Sequence, residues 1–180
     1  SQGAYYPGTD KLWPFRFAYL YEMSYIETPE IFYCPGNCLD SYKYKSYTNP
    51  GPWGTLDQYH NTTLNPPNQW VRVGYTYYPV GRDAIIDPQF RAPTEMATRY
   101  TQLSPNMPYA SDLLHRRSFI AHQTSQSAYG VNALFSDGHV TYCNDQAVFA
   151  LSIWDYVDKG VSNQREYDSL YYAVFREIRP

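Results

Sequence analysis

The sequence lacks the features that assign a protein directly to a nucleic-acid-binding or membrane-spanning class. Its formal net charge is only -3 and its Lys and Arg residues are scattered, so no basic face predicts a nucleic-acid partner or an anionic membrane surface. No apolar run approaches the roughly 20 residues that cross a bilayer. The first residues, SQGAYYPGTD, have neither the basic nor the apolar segment of a signal peptide. The length predicts one domain over residues 1–180.

Motifs of common enzyme classes are also absent from the sequence. It has no Gly-x-Ser-x-Gly elbow, no His-Glu-x-x-His pair and no glycine-rich loop before a helix to hold a phosphate or an oxyanion. The sequence therefore predicts a protein that is not an enzyme and has no cofactor. A Ser/His/Asp triad remains an alternative, because the sequence contains all three residue types, with serines such as Ser111 and Ser136. A metal-dependent hydrolase around His122, Asp137 and His139 is the other alternative.

Cysteine is too scarce for a disulfide-rich secreted scaffold, since the chain has only 3. Cys34 and Cys38, in FYCPGNCLD, are close enough to bridge across a Pro-Gly turn, and Cys143 is left as a second pairing partner. The same C-x3-C spacing fits half of a zinc site, but no second ligand pair follows. Asn61 begins an Asn-Thr-Thr glycosylation triplet, which favours an exported glycoprotein.

Tyrosine is what the sequence has in excess, with 21 Tyr beside 4 Trp and 8 Phe. Tyrosine joins apolar area to a polar tip, so it suits half-buried and contact surfaces. Residues 46–69 are a loop by composition, and Trp53, Tyr59 and Trp70 lie in it or beside it. These rings either stack on sugars, as in a carbohydrate-binding or adhesive module, or pack the loop onto the protein.

Apolar periodicity predicts an α+β domain with helices at both ends of a mostly antiparallel sheet. A helix is expected from Thr9 or Asp10, followed by a short buried strand at EIFYC and a strand at WVRVGYTYYPV. A short helix at PTEMATRY, a strand at NMPYASDLL that ends near Asp112, and two C-terminal helices complete the prediction. The residues expected to share faces are Trp13, Phe17, Leu20 and Tyr21; Val71, Val73, Tyr75 and Tyr77; Val148, Leu151 and Trp154; and Tyr167, Leu170, Val174 and Phe175.

The segment YGVNALFSDGHVTYC predicts a β-hairpin. Asp-Gly between two β-prone runs favours a two-residue type I′ loop, so Asp137 and Gly138 are expected to form the loop. Phe135 would then lie opposite Val140. His139 is expected at the hairpin tip, hydrogen-bonded to Asp137 or Ser136, with a metal ligand or a base as the alternative. Asp112, Asn132 and Asp137 could also supply oxygen ligands to calcium if their strands lie side by side, and the alternative is a hydrogen-bonded turn that fixes the hairpin.

Three stretches together resemble the bacterial type IV pilin-like (pseudopilin) proteins that carry the prepilin-type processing-associated C-terminal domain. VNALFSDGHV is similar to the second half of that family's hallmark, which is His, nine residues, then Asp-Gly. GAYYPGTDKLWP with IFYCPGN, and MPYASDLL with its Pro-x-x-x-Asp spacing, match further family segments in the expected order. Ser127 stands where the family's His is expected, and His122 lies five residues before it.

The resemblance implies a pilin-like globular head in a type IV pilus-like filament or a type II secretion pseudopilus. Such a subunit is extracellular or periplasmic at the cell surface, self-associates, and contributes to secretion or cell adhesion. The family's long apolar N-terminal helix is not in this sequence, so we expect it to be truncated or separately encoded, and expect membrane attachment only through it. On this interpretation Asp137 and Gly138 form the loop that fixes the C-terminal hairpin, and Asn132, Asp112 and His122 are expected to brace it.

Overall fold

The structure, a computed structural model, divides into two compact units, Ser1–Tyr75 and Thr76–Pro180. Each unit has its own buried cluster of hydrophobic side chains. Compactness does not test whether a unit folds independently, so the single-domain assignment stays a prediction. The residues described are 2–5, 12–13, 18–37, 39–48, 53, 71–125, 128–158 and 164–180.

The first unit is built from short elements. A three-stranded antiparallel sheet has the order β2-β1-β3, where β1 is Gln2–Tyr5, β2 is Leu12–Trp13 and β3 is Val71–Arg72. A short α-helix, α1, covers Ala18–Glu22. In the described residues of this unit it is followed by 3-10 helices at Pro29–Phe32, Asp40–Tyr42 and Tyr44–Tyr47.

The helix predicted from Thr9 or Asp10 is wrong in its first half, because Leu12–Trp13 forms β2 and α1 begins only at Ala18. Trp13 precedes Pro14, whose ring disfavours helical backbone in the residue before it. Of the side chains expected on one face, Tyr21 packs against the buried cluster of the first unit, whereas Leu20 is exposed. Phe17 lies outside the described residues.

The strand predicted at EIFYC is also wrong. Pro29–Phe32 forms a 3-10 helix with proline in its first turn, where the fixed φ of proline suits a helix start. The predicted burial is confirmed for Phe32, Tyr33 and Cys34. The Pro-Gly turn is also present, since the N–H of Asn37 donates to the carbonyl oxygen of Cys34 at 3.0 Å.

The single strand predicted at WVRVGYTYYPV is broken into β3 and β4, which covers Tyr75–Tyr77. Between them, the N–H of Gly74 donates to the carbonyl oxygen of Phe32 at 2.8 Å. A Cβ at Gly74 would lie 2.9 Å from the backbone nitrogen of Cys34, so only glycine permits this approach. The alternation is inverted beyond the break, where the buried residues are Thr76 and Tyr78.

A five-stranded sheet forms the centre of the second unit. Its strand order is β10-β9-β7-β4, and β8 pairs with β9 outside this path. The pairs of β9 with β7, β8 and β10 are all antiparallel. β7 is Ala110–Asp112, β8 is His122–Ser125, β9 is Ala128–Leu134 and β10 is Val140–Cys143. Asp112 therefore ends its strand, as predicted.

The hairpin of β9 and β10 is present, but the predicted two-residue loop is wrong. Val140 lies opposite Leu134, one position away from the predicted register. The N–H of Phe135 donates to the carbonyl oxygen of His139 at 3.0 Å, which encloses a three-residue loop, and only Gly138 in that loop has positive φ, at 91°. A type I′ loop needs positive φ at both positions, whereas a three-residue loop with a final glycine spares Asp137 that strain.

A second hairpin joins β5 (Ile86–Asp87) to β6 (Ala92–Pro93). The helix predicted at PTEMATRY is wrong, because only Tyr100–Gln102 forms a 3-10 helix in this region. The side-chain oxygen of Gln102 accepts the N–H groups of Thr98 and Arg99 at 3.1 and 3.0 Å. These bonds hold the backbone before Tyr100 in an extended conformation.

Two C-terminal helices cover the core, α2 at Leu151–Asp158 and α3 at Gln164–Glu177. The predicted face of α3 is confirmed, since Leu170, Val174 and Phe175 are fully buried and Tyr167 packs against the same cluster. In the preceding segment the prediction is right for two residues and wrong for one: Val148 and Trp154 are buried, but Leu151 is 58% exposed. The predicted helix end at Gly160 and the capping residue Asn163 lie outside the described residues.

The fold is α+β with a mostly antiparallel sheet and few helices, which confirms the predicted class. In the part of the chain that the structure describes, no helix has the length and apolar character needed to cross a membrane.

Candidate functional site: an Asp-His-Asn cluster on the central sheet

A gap along one edge of β9 positions the candidate site. β7 pairs with the end of β9 at residues 133–134, and β8 pairs with its start at residues 128–130. The carbonyl oxygen of Leu134 accepts the N–H of Tyr109 at 2.9 Å, so even-numbered residues of β9 direct their backbone groups to this edge. Asn132 lies between the two partner strands. Its N–H donates instead to Oδ2 of Asp112, the last residue of β7, at 2.6 Å.

The same carboxylate oxygen has two further polar contacts. Nδ2 of Asn132 donates to Oδ2 of Asp112 at 3.0 Å, and Nε2 of His122 lies 3.2 Å from that oxygen. Nε2 of His122 is also 3.2 Å from Nδ2 of Asn132. The Asp112 side chain is only 3% exposed, against 33% for His122. A buried carboxylate is tolerated when polar partners replace water, and here Asn132 of β9 and His122 of β8 supply them.

Tyr142 lies beside this Asp-His-Asn cluster. It projects from β10 across β9, and its ring meets the ring of His122 edge to face at 6.1 Å and 82°. Gly130, opposite His122 in the strand pairing, makes room for it, because a Cβ at Gly130 would overlap the Tyr142 phenol. Sequence reasoning missed both residues. A glycine inside a strand often marks the close approach of another group, and this was the available signal.

An Asp-His pair can orient an imidazole for proton transfer, or it can join strands. Here the Asp112 oxygen is shared between His122 and two groups of Asn132, and Asn132 contacts both partners. This arrangement fixes the three side chains relative to one another. Its direct consequence is that β7, β8 and β9 are tied at the point where backbone pairing is interrupted.

A second Asp-His pair lies at the hairpin tip. Oδ1 of Asp137 accepts the N–H of His139 at 3.0 Å and lies 2.5 Å from its Nδ1, which confirms the predicted hydrogen bond. The His139 ring stacks on Phe135 with centroids 4.4 Å apart. The backbone hydrogen bond from His139, followed by the side-chain one, lowers the pKa of Asp137 below its ordinary value.

The three calcium candidates are not brought together. Asp112 and Asn132 bond to each other, whereas Asp137 bonds to His139 in the loop. Three residues of extended strand separate Asn132 from Phe135, where the loop begins, and they span roughly 10 Å. Calcium ligands surround one ion at about 2.4 Å, so Asp137 does not complete a site with the other two.

The residues of the hydrolase alternative are also separated. His122 lies opposite Gly130, and His139 lies opposite Phe135 at the other end of the hairpin. Five residues of extended strand span roughly 16 Å, so the two histidines belong to different Asp-His pairs. One metal ion does not contact both.

Of the glycan-stacking candidates, Trp53 is used inside the first unit. Its indole N–H donates to the Tyr33 hydroxyl at 2.7 Å, and its ring packs edge-on against Tyr21 at 5.0 Å. This contact matches the packing alternative for Trp53. The remaining candidates Tyr59 and Trp70, and the glycosylation candidate Asn61, lie outside the described residues.

The disulfide between Cys34 and Cys38 stays a prediction, because Cys38 lies outside the described residues. Cys143 is a buried thiol that forms no disulfide within the described part of the chain. Its burial raises the pKa of the thiol.

A scan against models of protein families gave no match, and searches of curated proteins and of solved structures likewise found no similar protein.

Proposed function

We propose that this chain is a non-enzymatic structural subunit, the globular head of an extracellular type IV pilus-like filament or a type II secretion pseudopilus. The proposal starts from the order of the three sequence stretches that resemble the family. The α+β fold with an antiparallel sheet is compatible with a pilin-like head.

The contact between Asp112 and Asn132 carries the proposal. Asp112 comes from the Pro-x-x-x-Asp stretch and Asn132 from the stretch that ends in Asp-Gly, and 20 positions separate them. Motif residues that meet in one buried contact support a shared structural role better than two independent matches would. His122 joins the same contact, which supports it as the counterpart of the family's histidine despite its shifted spacing.

The chemistry of the Asp-His-Asn cluster favours architecture. Removing the Asp112 carboxylate would take away the acceptor of the Asn132 N–H in a part-buried gap between strands. A head that packs against neighbouring heads must keep its sheet rigid, and this cluster holds three strands where their pairing is discontinuous.

The carbohydrate-binding alternative is less favoured, because the indole N–H of Trp53 is already bonded to Tyr33. The metal-dependent hydrolase is less favoured because its two histidines lie in different pairs. Localisation to the periplasm or the cell surface belongs to the filament proposal.

The proposal is tested in the cells that produce the protein, with antibodies raised against the purified chain. We expect immunogold label along surface or periplasmic filaments, and recovery of the chain in the sedimenting fraction after mechanical shearing. The matched sample is a strain carrying Asp112→Ala, in which both signals should weaken because the head is destabilised. Uniform label without filaments, together with a wholly non-sedimenting wild-type protein, would reject the proposal.

A further inference from the structure

The first unit exposes an apolar patch at α1 and the turn that follows it. We define the patch by four large side chains with exposed fractions between 39% and 77%: Tyr19, Leu20, Met23 and Tyr25. Scattered exposed apolar residues are ordinary on a protein surface, but a contiguous group marks an interaction surface.

Backbone geometry makes the patch continuous around α1. The N–H of Met23 donates to the carbonyl oxygen of Tyr19 at 2.9 Å, so these two side chains and Leu20 share one side of the helix end. Ser24 then has positive φ, at 58°, and the N–H of Tyr25 returns to the carbonyl oxygen of Leu20 at 2.9 Å. Tyr25 is therefore folded back onto the helix end.

The inward side of the same segment is already filled. Tyr21 and Ile26 pack against the buried cluster that contains Phe32. The patch residues face outward, because the side chains of this segment that point inward, Tyr21 and Ile26, already pack against the core. At roughly 200 Å² for a large side chain, half-exposure of four such residues leaves about 400 Å² of apolar area. That is large enough to be the centre of an interface in which each partner buries about 800 Å².

Charges of opposite sign lie on elements beside the patch. Glu27 and Glu30 are exposed on the segment that leads into Ile31, and no basic residue occurs between Tyr19 and Ile31. The 3-10 helix Tyr44–Tyr47 packs against the 3-10 helix Pro29–Phe32 and presents the exposed Lys45. An apolar centre with acid and base on neighbouring elements is complementary to a copy of itself rotated by a twofold axis.

We propose that this patch is a twofold contact between two copies of the chain. The apolar side chains pack against their counterparts, and Glu30 of each copy meets Lys45 of the other. This inference goes beyond the filament role and does not rest on it, because a twofold contact joins two heads whether or not they belong to filaments.

The apolar part of the contact is tested by sedimentation equilibrium of the whole chain. We expect a reversible dimer, and we expect Met23→Asp to raise the dissociation constant at least about tenfold, since a charge is then buried without a partner. Leu151→Asp is the matched control, because Leu151 is similarly exposed, at 58%, but lies in the second unit. A monomer at every concentration up to about 1 mM, or equal weakening by both variants, would refute the contact.

The charged part is tested by mixing two variants. Glu30→Lys and Lys45→Glu should each weaken self-association about three- to tenfold, because each homodimer places like charges together. Mixing the two variants should yield a heterodimer with the wild-type affinity, since both charge pairs are then restored across the twofold axis. An effect within one copy would not be rescued by mixing, so weak association of the mixture would overturn the proposed pairing.

Discussion

Among the residues that the structure describes, two aspartate–histidine pairs have the same chemistry and opposite surroundings. In the pair Asp112 and His122, the aspartate side chain is 3% exposed and belongs to a sheet gap. In the pair Asp137 and His139, the aspartate side chain is 69% exposed and belongs to a hairpin tip. The second pair has the shorter contact, 2.5 Å against 3.2 Å, yet water competes for both of its partners.

The comparison shows that the surroundings of an ion pair decide how much it contributes to the stability of the fold. Asp112 replaces a strand partner for Asn132 at a part-buried position, so its loss leaves the Asn132 N–H without the acceptor that completes the sheet. Asp137 lies in a loop whose backbone conformation depends mainly on Gly138. Removing the Asp137 side chain therefore leaves the residue that matters most for the loop in place. Four variants or measurements test this contrast.

The largest effect is expected for Asp112→Ala. It removes the acceptor of two Asn132 groups in a buried position and should lower the free energy of unfolding by about 3 kcal/mol. Chemical denaturation followed by circular dichroism measures the change. Asp137→Ala is the matched control and should lower the midpoint by much less, because water competes for the exposed pair that it removes. Equal shifts in the two variants would abolish the contrast between the pairs.

A smaller loss is expected for Gly138→Val, about 1–2 kcal/mol, because a β-branched residue is strained at positive φ. No atom lies within 4 Å of the Cβ position at Gly138, so the loss reports backbone conformation alone. Gly138→Asn should cost less, because Asn tolerates positive φ. The same denaturation assay applies. An unchanged melting temperature in the Val variant would show that the loop does not depend on glycine.

Gly130→Ala should lower stability by about 1 kcal/mol, because the added Cβ displaces the half-exposed Tyr142 ring from its place beside His122. A double-mutant cycle identifies the cause. In a Tyr142→Ala background the substitution should cost much less, since the overlapping ring is gone. Equal losses in both backgrounds would show that Tyr142 does not occupy this position in solution.

The smallest effect concerns acid. The pKa of Asp137 is lowered in the folded state, so the contribution of Asp137 to stability is present above the unfolded-state pKa and is lost as pH falls through the folded-state value. Carboxyl titration by NMR should give a pKa for Asp137 below the ordinary aspartate range. In His139→Ala, which keeps the backbone bond but loses the ring, the pKa should rise part of the way back. A value in the ordinary range for the wild type would contradict the loop geometry.

The helices and core residues with a clear period were predictable from the sequence. Leu170, Val174 and Phe175 recur at the helical period in a segment without Pro or Gly, and they are buried on α3. The hairpin was predictable for a similar local reason, since Asp-Gly between β-prone runs restricts the chain to a reversal there.

The contacts of the candidate site were predictable only in part. On the pilin-like interpretation Asp112, Asn132 and His122 were expected to brace the hairpin, and the structure places them in one cluster. The resemblance did not predict the gap in strand pairing along β9, where the Asp112 carboxylate accepts the Asn132 N–H. Tyr142 and Gly130 escaped prediction because their contact depends on which residues lie diagonally across two strands.

The sequence by itself determined the α+β class, the positions of α3 and the β9–β10 reversal, and the burial of the main apolar residues, because these follow from periodicity and turn chemistry within short windows. Only the tertiary structure decided the hairpin register, the break at Gly74 and the environments of the two Asp-His pairs. The register follows from the conformation that the loop adopts around Gly138, which the Asp-Gly pair alone leaves open. The other two depend on groups brought together from distant segments, and a hydrogen bond such as that from Gly74 to Phe32 can override local strand preference.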